Sequence, residues 1–346
     1  MLGFSNPLPI IQAPMAGGIT TASLVGAVSE AGGIGSFGFA YCSATEIKNQ
    51  LRNARKITKR PINANFFVFP EIDKNKEIEF QKALKSLKDL PINFDTGDES
   101  IQPPYNPSLE AQLETIWREK PEVLTFHFGV PDEQIMTQAK SLGITVGATV
   151  TNIRNAELAF RAGIDFFIAQ GSEAGGHLGY FQDADFETKM TSMKLLGLLK
   201  KKFNLPIISA GGIMDGFDIR KYLKSGAAGV QMGTAFLCCH EAGTSTTYKN
   251  YILEKKKRPT EFTRGFSGRW ARSIQNEFTI HMKGKHILPF PIQNTLTSKL
   301  RAFANANKNG EYLSLWAGKE FARARALSVS DLLHELSLEM NHGINY

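Results

Sequence analysis

Cysteine is scarce. The 346 residues hold three, Cys42 and the adjacent Cys238 and Cys239, with no CxxC pair and no histidine at finger-like spacing. This excludes a disulfide framework and argues against zinc, so no metal site is expected. Cys238 and Cys239 close an apolar run and read as packing residues. Long hydrophobic runs are also missing. No segment approaches the roughly 20 apolar residues of a membrane span, and residues 1–11 lack the charged start and apolar middle of a signal peptide. A cytoplasmic protein without a membrane partner is the expectation. Low-complexity tails are absent, as are internal repeats beyond a strand-helix unit.

Acidic residues are outnumbered, 33 against 40 basic ones, for a formal charge of +7. The basic residues are spread, apart from residues 200–202 (KKK) and 255–258 (KKKR). Both clusters fit solvated helix ends, and no aromatics interleave them as a nucleic-acid surface would require. A mildly positive field suited to small anions is the better reading. At 42% hydrophobic content the chain can bury a large core, as one domain or a domain plus an appendage.

What is present is rhythm. PIIQAPMAG, GIGSFGF, PINANFFV, VLTFHFG, ITVGATV, DFFIAQG, PIISAGG and GVQMGTAFL read as eight buried strands. Amphipathic segments alternate with them, several closed by a helix-capping glycine: TASLVGAVSEAG, TEIKNQLRNARK, DEQIMTQAKSLG, NAELAFRAG and DGFDIRKYLKSG. Eight strand-helix units predict an α/β fold with parallel strands, a closed (β/α)8 TIM barrel; an open doubly wound sheet is the alternative. Residues 69–120, with the turn-rich DTGDES and QPPYNP, read as a long loop plus a helix over 109–119. Residues 239–310 follow the eighth strand and read as a smaller, mostly helical domain over the barrel mouth. The barrel then comprises residues 1–238 and 311–346, with EYLSLWAGKEFARARAL as a closing helix.

GIGSFG satisfies GxGxxG, but its glycines follow a helix and enter a strand, the reverse of a dinucleotide fingerprint. SAGGIMDG has the right context, after a strand and before a helix. Gly211 and Gly212 let backbone N–H groups approach an anion closely, and QMGTAF repeats the device one strand later with Gly233 and Thr234. A phosphate site after strands seven and eight is a recurrent barrel arrangement; two tight turns needing glycine are the plain alternative. PMAGGIT, with Met15, and NANFF, with Asn65, offer small residues and amides of the kind a flat ring across the mouth would need. Gln170 and His177 lie at the end of strand six, among glycines that keep the backbone close to a ligand. An imidazole there can take a proton or donate a hydrogen bond. His127 in TFHFG points to the same mouth. His240, His281, His286, His334 and His342 have no comparable setting.

QAPMAGGITT, the Asn of NANFF, FHFG, QGSEAGGHLG, AGGIMDG, QMGTAFL and SLWAG together resemble, in order, the motifs of the FMN-dependent nitronate monooxygenases, formerly 2-nitropropane dioxygenases. The resemblance spans residues 12–318. It implies a barrel holding non-covalent FMN under a smaller domain. The implied reaction oxidises alkyl nitronates, such as propionate 3-nitronate, by O2 to a carbonyl compound and nitrite or nitrate, in one-electron steps. By position it implies FMN contacts at Met15, Asn65, Gln170, Gly175, Gly211, Gly212, Gln231, Met232, Gly233 and Thr234. His177 matches the active-site histidine, as a base for a neutral nitroalkane or, the favoured role, as a group that positions an anionic nitronate. His127 and Tyr312 are further pocket candidates, as are Trp316 and Phe181. Ala22 replaces an anticipated proline, and Lys319 stands where glutamine is commoner, facing the cofactor or solvent. The alternatives are an FMN-dependent NAD(P)H enoyl-acyl carrier protein reductase and a non-redox barrel protein that binds a phosphate ligand. The oligomeric state is left open.

Overall fold

The structure, a computed structural model, describes residues 2–69, 79–95, 101–254 and 257–342. Residues 96–100 of the DTGDES turn and Lys255 and Lys256 of the basic cluster lie outside the described residues. Eight parallel strands follow the order anticipated: Ile10–Gln12, Gly35–Gly38, Ile62–Phe67, Val123–His127, Thr145–Val150, Phe166–Gln170, Ile207–Ala210 and Gly229–Met232. Each from the second onward pairs with the next, and the eighth returns to the first with Val230 opposite Ile10. The last seam is thin. A single bridge, Ile11 to Ile34, joins strands one and two, where Gln12 N–H donates to Ile34 O at 2.9 Å. The result is a closed (β/α)8 barrel.

Strand alternation separates two apolar layers. Phe37, Leu124, Phe126, Phe167 and Val230 join the large core that packs the strands against the helices. Their neighbours Ile11, Ile34, Val123, Phe166, Ile168 and Ile208 form a second cluster, the barrel's own filling, with Leu2 and Phe4 packed against it. Polar side chains continue the same interior. Gln12 Oε1 accepts from Ser36 N–H at 2.9 Å, Asn63 Nδ2 donates to Ser36 Oγ at 3.0 Å, and Thr125 Oγ1 donates to Asn63 Oδ1 at 3.1 Å. Asn65 Nδ2 then donates to Thr125 Oγ1 at 3.0 Å. This chain of bonds satisfies buried amides that would otherwise be costly to bury.

Side-chain caps fix the helix starts. Thr21, Ser43, Asp132, Asn152, Thr191 and Asp215 each accept a first-turn N–H, each cap contributing about 1 kcal/mol. Gly143, Gly163 and Gly226, at φ of +71°, +81° and +94°, end the helices where sequence placed their stops. Residues 200–202 form the exposed last turn of the helix Ser192–Lys202, where lysines complement the helix dipole. Ala22 opens the helix Ala22–Glu30, and its N–H donates to Gln50 Oε1 at 3.1 Å, a bond proline could not make. Cys238 and Cys239 are buried in the core.

Three expectations need correction. The insertion after the third strand contains Leu109–Glu119 as anticipated but also a second helix, Phe80–Lys88. Residues 239–310 are not purely helical. Among the helices Thr246–Glu254, Glu277–His281, Ile292–Leu296 and Ser298–Ala306 stands an antiparallel ribbon, Thr260–Thr263 with Ala271–Ile274. EYLSLWAGKEFARARAL is not a helix. It runs as single turns, Gly310–Tyr312 and Phe321–Arg323, around an extended piece whose Trp316 bridges Ser273. The closing helix is Val329–Asn341, capped by Ser328. No helix among the described residues is long and apolar enough to cross a membrane.

Two glycine substitutions should separate packing from propensity. A Cβ on Gly35 would lie 2.2 Å from Val25 O in the helix behind it, whereas one on Gly197 would meet nothing within 4 Å. Gly35→Ala is expected to lower unfolding stability by about 1–3 kcal/mol or more, and Gly197→Ala to raise it by about 0.5–1 kcal/mol. Urea midpoints of both variants check the opposite signs.

Candidate active site

A cavity of about 440 Å³ opens at the C-terminal ends of the strands, the face on which barrel enzymes carry their chemistry. Its lining includes side chains from successive strand ends: Asn65, Phe67, His127, Thr149, Gln170, Ala210 and Gln231. Met15, Gly175, Gly211, Gly212, Met232, Gly233 and Thr234 line it too, as does His177. The strand ends named from the sequence therefore meet in one cavity. Trp316 is also a wall residue, but Tyr312 and Phe181 are not. Tyr312 is buried beneath, its hydroxyl donating to Glu277 Oε2 at 2.7 Å, while Leu313 and Ser314 take the wall position. Lys319 exposes its side chain and uses its N–H on Glu173 O at 3.0 Å.

The glycine-rich loop after strand six is held from both sides. Gly176–His177 forms a short strand that pairs with the ribbon, Ala271 opposite His177, and Leu178 N–H donates to Trp270 O at 3.1 Å. From below, Gln170 Nε2 donates to His177 O at 3.0 Å while Gln170 Oε1 accepts from Gly179 N–H at 2.7 Å. His127 Nε2 donates to the same His177 carbonyl at 3.2 Å. Gln170 and His127 thus hold the loop and also line the cavity. The glycines explain themselves here. A Cβ on Gly175 would sit 2.5 Å from the backbone of Ala317 and Gly318, and Gly176 holds φ of +73°.

The imidazole of His177 is half-buried among the rings of Phe67, Phe128, Phe290 and Trp316, with centroids 5.3–6.2 Å away. Phe128 reaches this cluster with a left-handed φ of 76°, a strained backbone that costs on the order of 1–3 kcal/mol and persists only where packing enforces it. Desolvation, then His127, Arg269 and Arg301, push the His177 pKa down to about 3. His127 falls to about 3 as well, through burial and then Arg269. Both rings are neutral near pH 7.

His177 Nε2 lies 2.8 Å from Ser267 Oγ. That hydroxyl also donates to Arg269 O at 3.1 Å and accepts from Arg269 N–H at 3.3 Å. A hydroxyl has one proton. With it on the Arg269 carbonyl, His177 Nε2–H donates to Ser267 and every contact is used; turned toward His177, it would leave that carbonyl without it. Nε2–H is therefore the resting tautomer, and Nδ1 is the nitrogen left for a ligand.

Sequence missed Ser267, Arg269, Arg301 and Tyr41. Arg269 lies between the rings of Phe128 and Tyr180, 4.0 Å from each centroid, and its Nη2 donates to Tyr180 O. Arg301 and Tyr41 line the cavity. None of the four belongs to a recognisable motif. Only the glycines at 265 and 268 could have signalled a tight loop there.

A cavity at the mouth of such a barrel, lined by a neutral imidazole and by the glycine turns after strands seven and eight, defines a barrel enzyme. Comparison with known proteins gives the family. The sequence profile of the nitronate monooxygenase family matches residues 1–339. The nitronate monooxygenase of Paraburkholderia phytofirmans is 36% identical over 353 residues, covering 99% of this chain and 94% of that protein. A probable nitronate monooxygenase of Bacillus subtilis is 33% identical over 343 residues, covering 98% of each. A crystal structure of a nitroalkane oxidase from Streptomyces ansochromogenes matches with a TM-score of 0.86 at 32% identity, covering 97% of this chain and 96% of that one. FabK from Thermotoga maritima shares the fold, at a TM-score of 0.76 and 24% identity over 99% and 95% of the two chains. The chain belongs to the nitronate monooxygenase family.

The electrostatics can be checked directly. With its pKa held near 3 by desolvation, His177 stays neutral in the folded protein while an unfolded histidine would take a proton below about 6.5. Its imidazole signals in a histidine-labelled NMR titration, assigned with His177→Asn, should not move between pH 8 and 5. A midpoint near 6.5 would contradict the buried, field-shifted site.

Proposed function

We propose that the protein is an FMN-dependent oxidoreductase that converts alkyl nitronates and O2 into carbonyl compounds and nitrite or nitrate, acting in the cytoplasm. The observation that carries this reading is the neutral His177 imidazole beside a cavity whose other end is a glycine cradle. The residues fit the cofactor. Gly211 and Gly212, at φ of +111° and +72°, turn the backbone after strand seven. Thr234 Oγ1 accepts from Gly318 N–H at 3.0 Å, so its own proton is available. Gln231 Nε2 is buried with no protein partner, a donor whose burial is costly until a ligand meets it. The phosphate belongs at Gly211, Gly212, Gly233 and Thr234, and the ring system at Met15, Asn65, Gly175, Gln231 and Met232. When bound, FMN supplies the electron acceptor.

The chain's own residues do the rest. A nitronate carries its charge on arrival and has no acidic C–H to surrender, so it needs orientation and charge compensation rather than a base. Arg269 and Arg301, the cations that depress His177, also make the cavity favourable to an anion. Rotation of the Ser267 hydroxyl toward Nε2, with the ring proton exchanged to Nδ1 through solvent, gives His177 a donor for the nitronate oxygen. A neutral nitroalkane would instead meet the lone pair of the resting tautomer. Residues 239–310 act as the cap, since their ribbon holds the His177 loop and their helices carry Arg301.

Anaerobic mixing with propionate 3-nitronate should reduce the flavin without a nicotinamide nucleotide, and nitronate-dependent O2 uptake should follow on aeration. Bleaching by NAD(P)H but not by nitronate would favour a reductase. His177→Asn should keep its FMN and lose about 10²–10³-fold in turnover, as for removal of a charge-stabilising donor; activity within about threefold of wild type would remove His177 from the chemistry. Gly212→Leu is expected to purify without yellow colour, because its Cβ would lie 3.2 Å from Glu173 Cβ and the residue would be strained at φ of +72°, so the turn must shift. Undiminished FMN absorbance in that variant would place the phosphate elsewhere.

A further inference from the structure

The turn after strand seven is tied to the closing helix Val329–Asn341. Arg325, in the chain that leads into that helix, donates through Nη2 to Met214 O at 3.1 Å and through Nη1 to Glu335 Oε2 at 2.8 Å and Glu339 Oε1 at 2.9 Å. Glu339 Oε2 accepts in turn from Gly216 N–H at 2.7 Å, and Asp218 Oδ2 accepts from Met214 N–H at 3.0 Å. The packing is close, since a Cβ on Gly216 would lie 2.3 Å from Leu336 O.

These bonds sort the amides of the turn. Met214 and Gly216 give theirs to carboxylates, whereas Gly211, Gly212 and Ile213, which line the cavity, donate to no described residue. Consecutive free N–H groups of this kind suit an anion. The charges are sorted as well. Asp215, Asp218, Glu335 and Glu339 all flank the turn or its helix without lining the cavity, and uncompensated they would repel a phosphate held there. Arg323 pairs with Asp215 and, at 2.9 Å, with Asp218, while Arg325 pairs with Glu335 and Glu339. Of the two guanidiniums, Arg325 is the one that also bonds to the turn's main chain.

We propose that Arg325 is a positioning residue for the cofactor. Through Met214 O and Glu339 it fixes the turn whose free amides take the FMN phosphate, and its charge cancels carboxylates that would repel a dianion. This rests on the FMN reading above and extends it to a residue outside the cavity wall.

Riboflavin, which is FMN without the phosphate, separates this role from general packing. Full-length wild type, Arg325→Gln and Arg325→Lys, each freed of flavin, are titrated with both compounds and followed by flavin fluorescence, with thermal melts to show that each is folded. Wild type should bind FMN more tightly than riboflavin. Arg325→Gln should weaken FMN binding by about 10- to 100-fold, as for the loss of one charge-assisted contact, and riboflavin binding by less than about threefold. Arg325→Lys, which keeps the charge but not the fork, should fall between, and it carries the comparison alone if Arg325→Gln does not fold. Equal weakening of both flavins would make Arg325 a packing residue and overturn the proposal, as would an unchanged preference for FMN in the variants. A wild type that binds the two flavins equally would take the phosphate away from this turn, and one that binds neither would sink the FMN reading itself; the proposal falls in both cases.

Discussion

The site depends on one backbone constraint, the loop from Gly171 to Gly179 pinned between barrel and ribbon. One side is a sheet pairing, Gly176–His177 against Ala271 and Arg272. The other is the barrel's strand ends: Gln170 donates to His177 O and accepts from Gly179 N–H, and His127 donates to the same His177 carbonyl. Nothing wider than a glycine backbone passes between Ala317 and the loop at Gly175. The imidazole is thus positioned by main chain and by the four rings around it, and its side-chain hydrogen-bond partner, Ser267, remains free to set its tautomer. Packing and chemistry are separated in this way: the loop supplies rigidity and the hydroxyl supplies adaptability.

Electrostatics follow from the same crowding. Arg269 between two aromatic faces and Arg301 in the cavity wall are cations with no carboxylate in ion-pair contact among the described residues, each in a setting where Coulomb effects are larger than in water. Loss of water first, and then the charge of Arg269 on both rings and of Arg301 on His177, keep the two histidines uncharged. The +7 charge of the chain suggests affinity for anions only in a general sense, and the specific effect comes from these two side chains.

Much of the barrel was legible because parallel strands buried on both faces are continuous apolar runs, and the glycines at 143, 163 and 226 punctuate the helices between them. The strand ends carried the site with them, which is why Asn65, Gln170, Gln231 and the turns at 211–212 and 233–234 could be placed in one cavity. The ribbon was not legible, since part of its pairing is with two residues about ninety-five positions away and TEFT and ARSI show no local strand pattern. The stretch from Glu311 to Leu327 has helical composition, yet backbone contacts of Ala317 and Gly318 with the glycine loop, and of Gly318 with Thr234, hold it extended. Tyr312 was misplaced for that reason. Ser267 and Arg301 gave no signal because their meaning lies wholly in tertiary neighbours.

The thin seam between strands one and two has a kinetic meaning. The opening strand of three residues takes its full ladder from the eighth strand, more than two hundred positions later, and only a single bridge from the second. During synthesis, when the amino-terminal part emerges first, Ile10 to Gln12 have no full partner until Gly229 to Met232 have been made. Ring closure is thus among the most non-local and slowest events available to this topology, and the glycine turn after strand eight takes shape as the cylinder shuts.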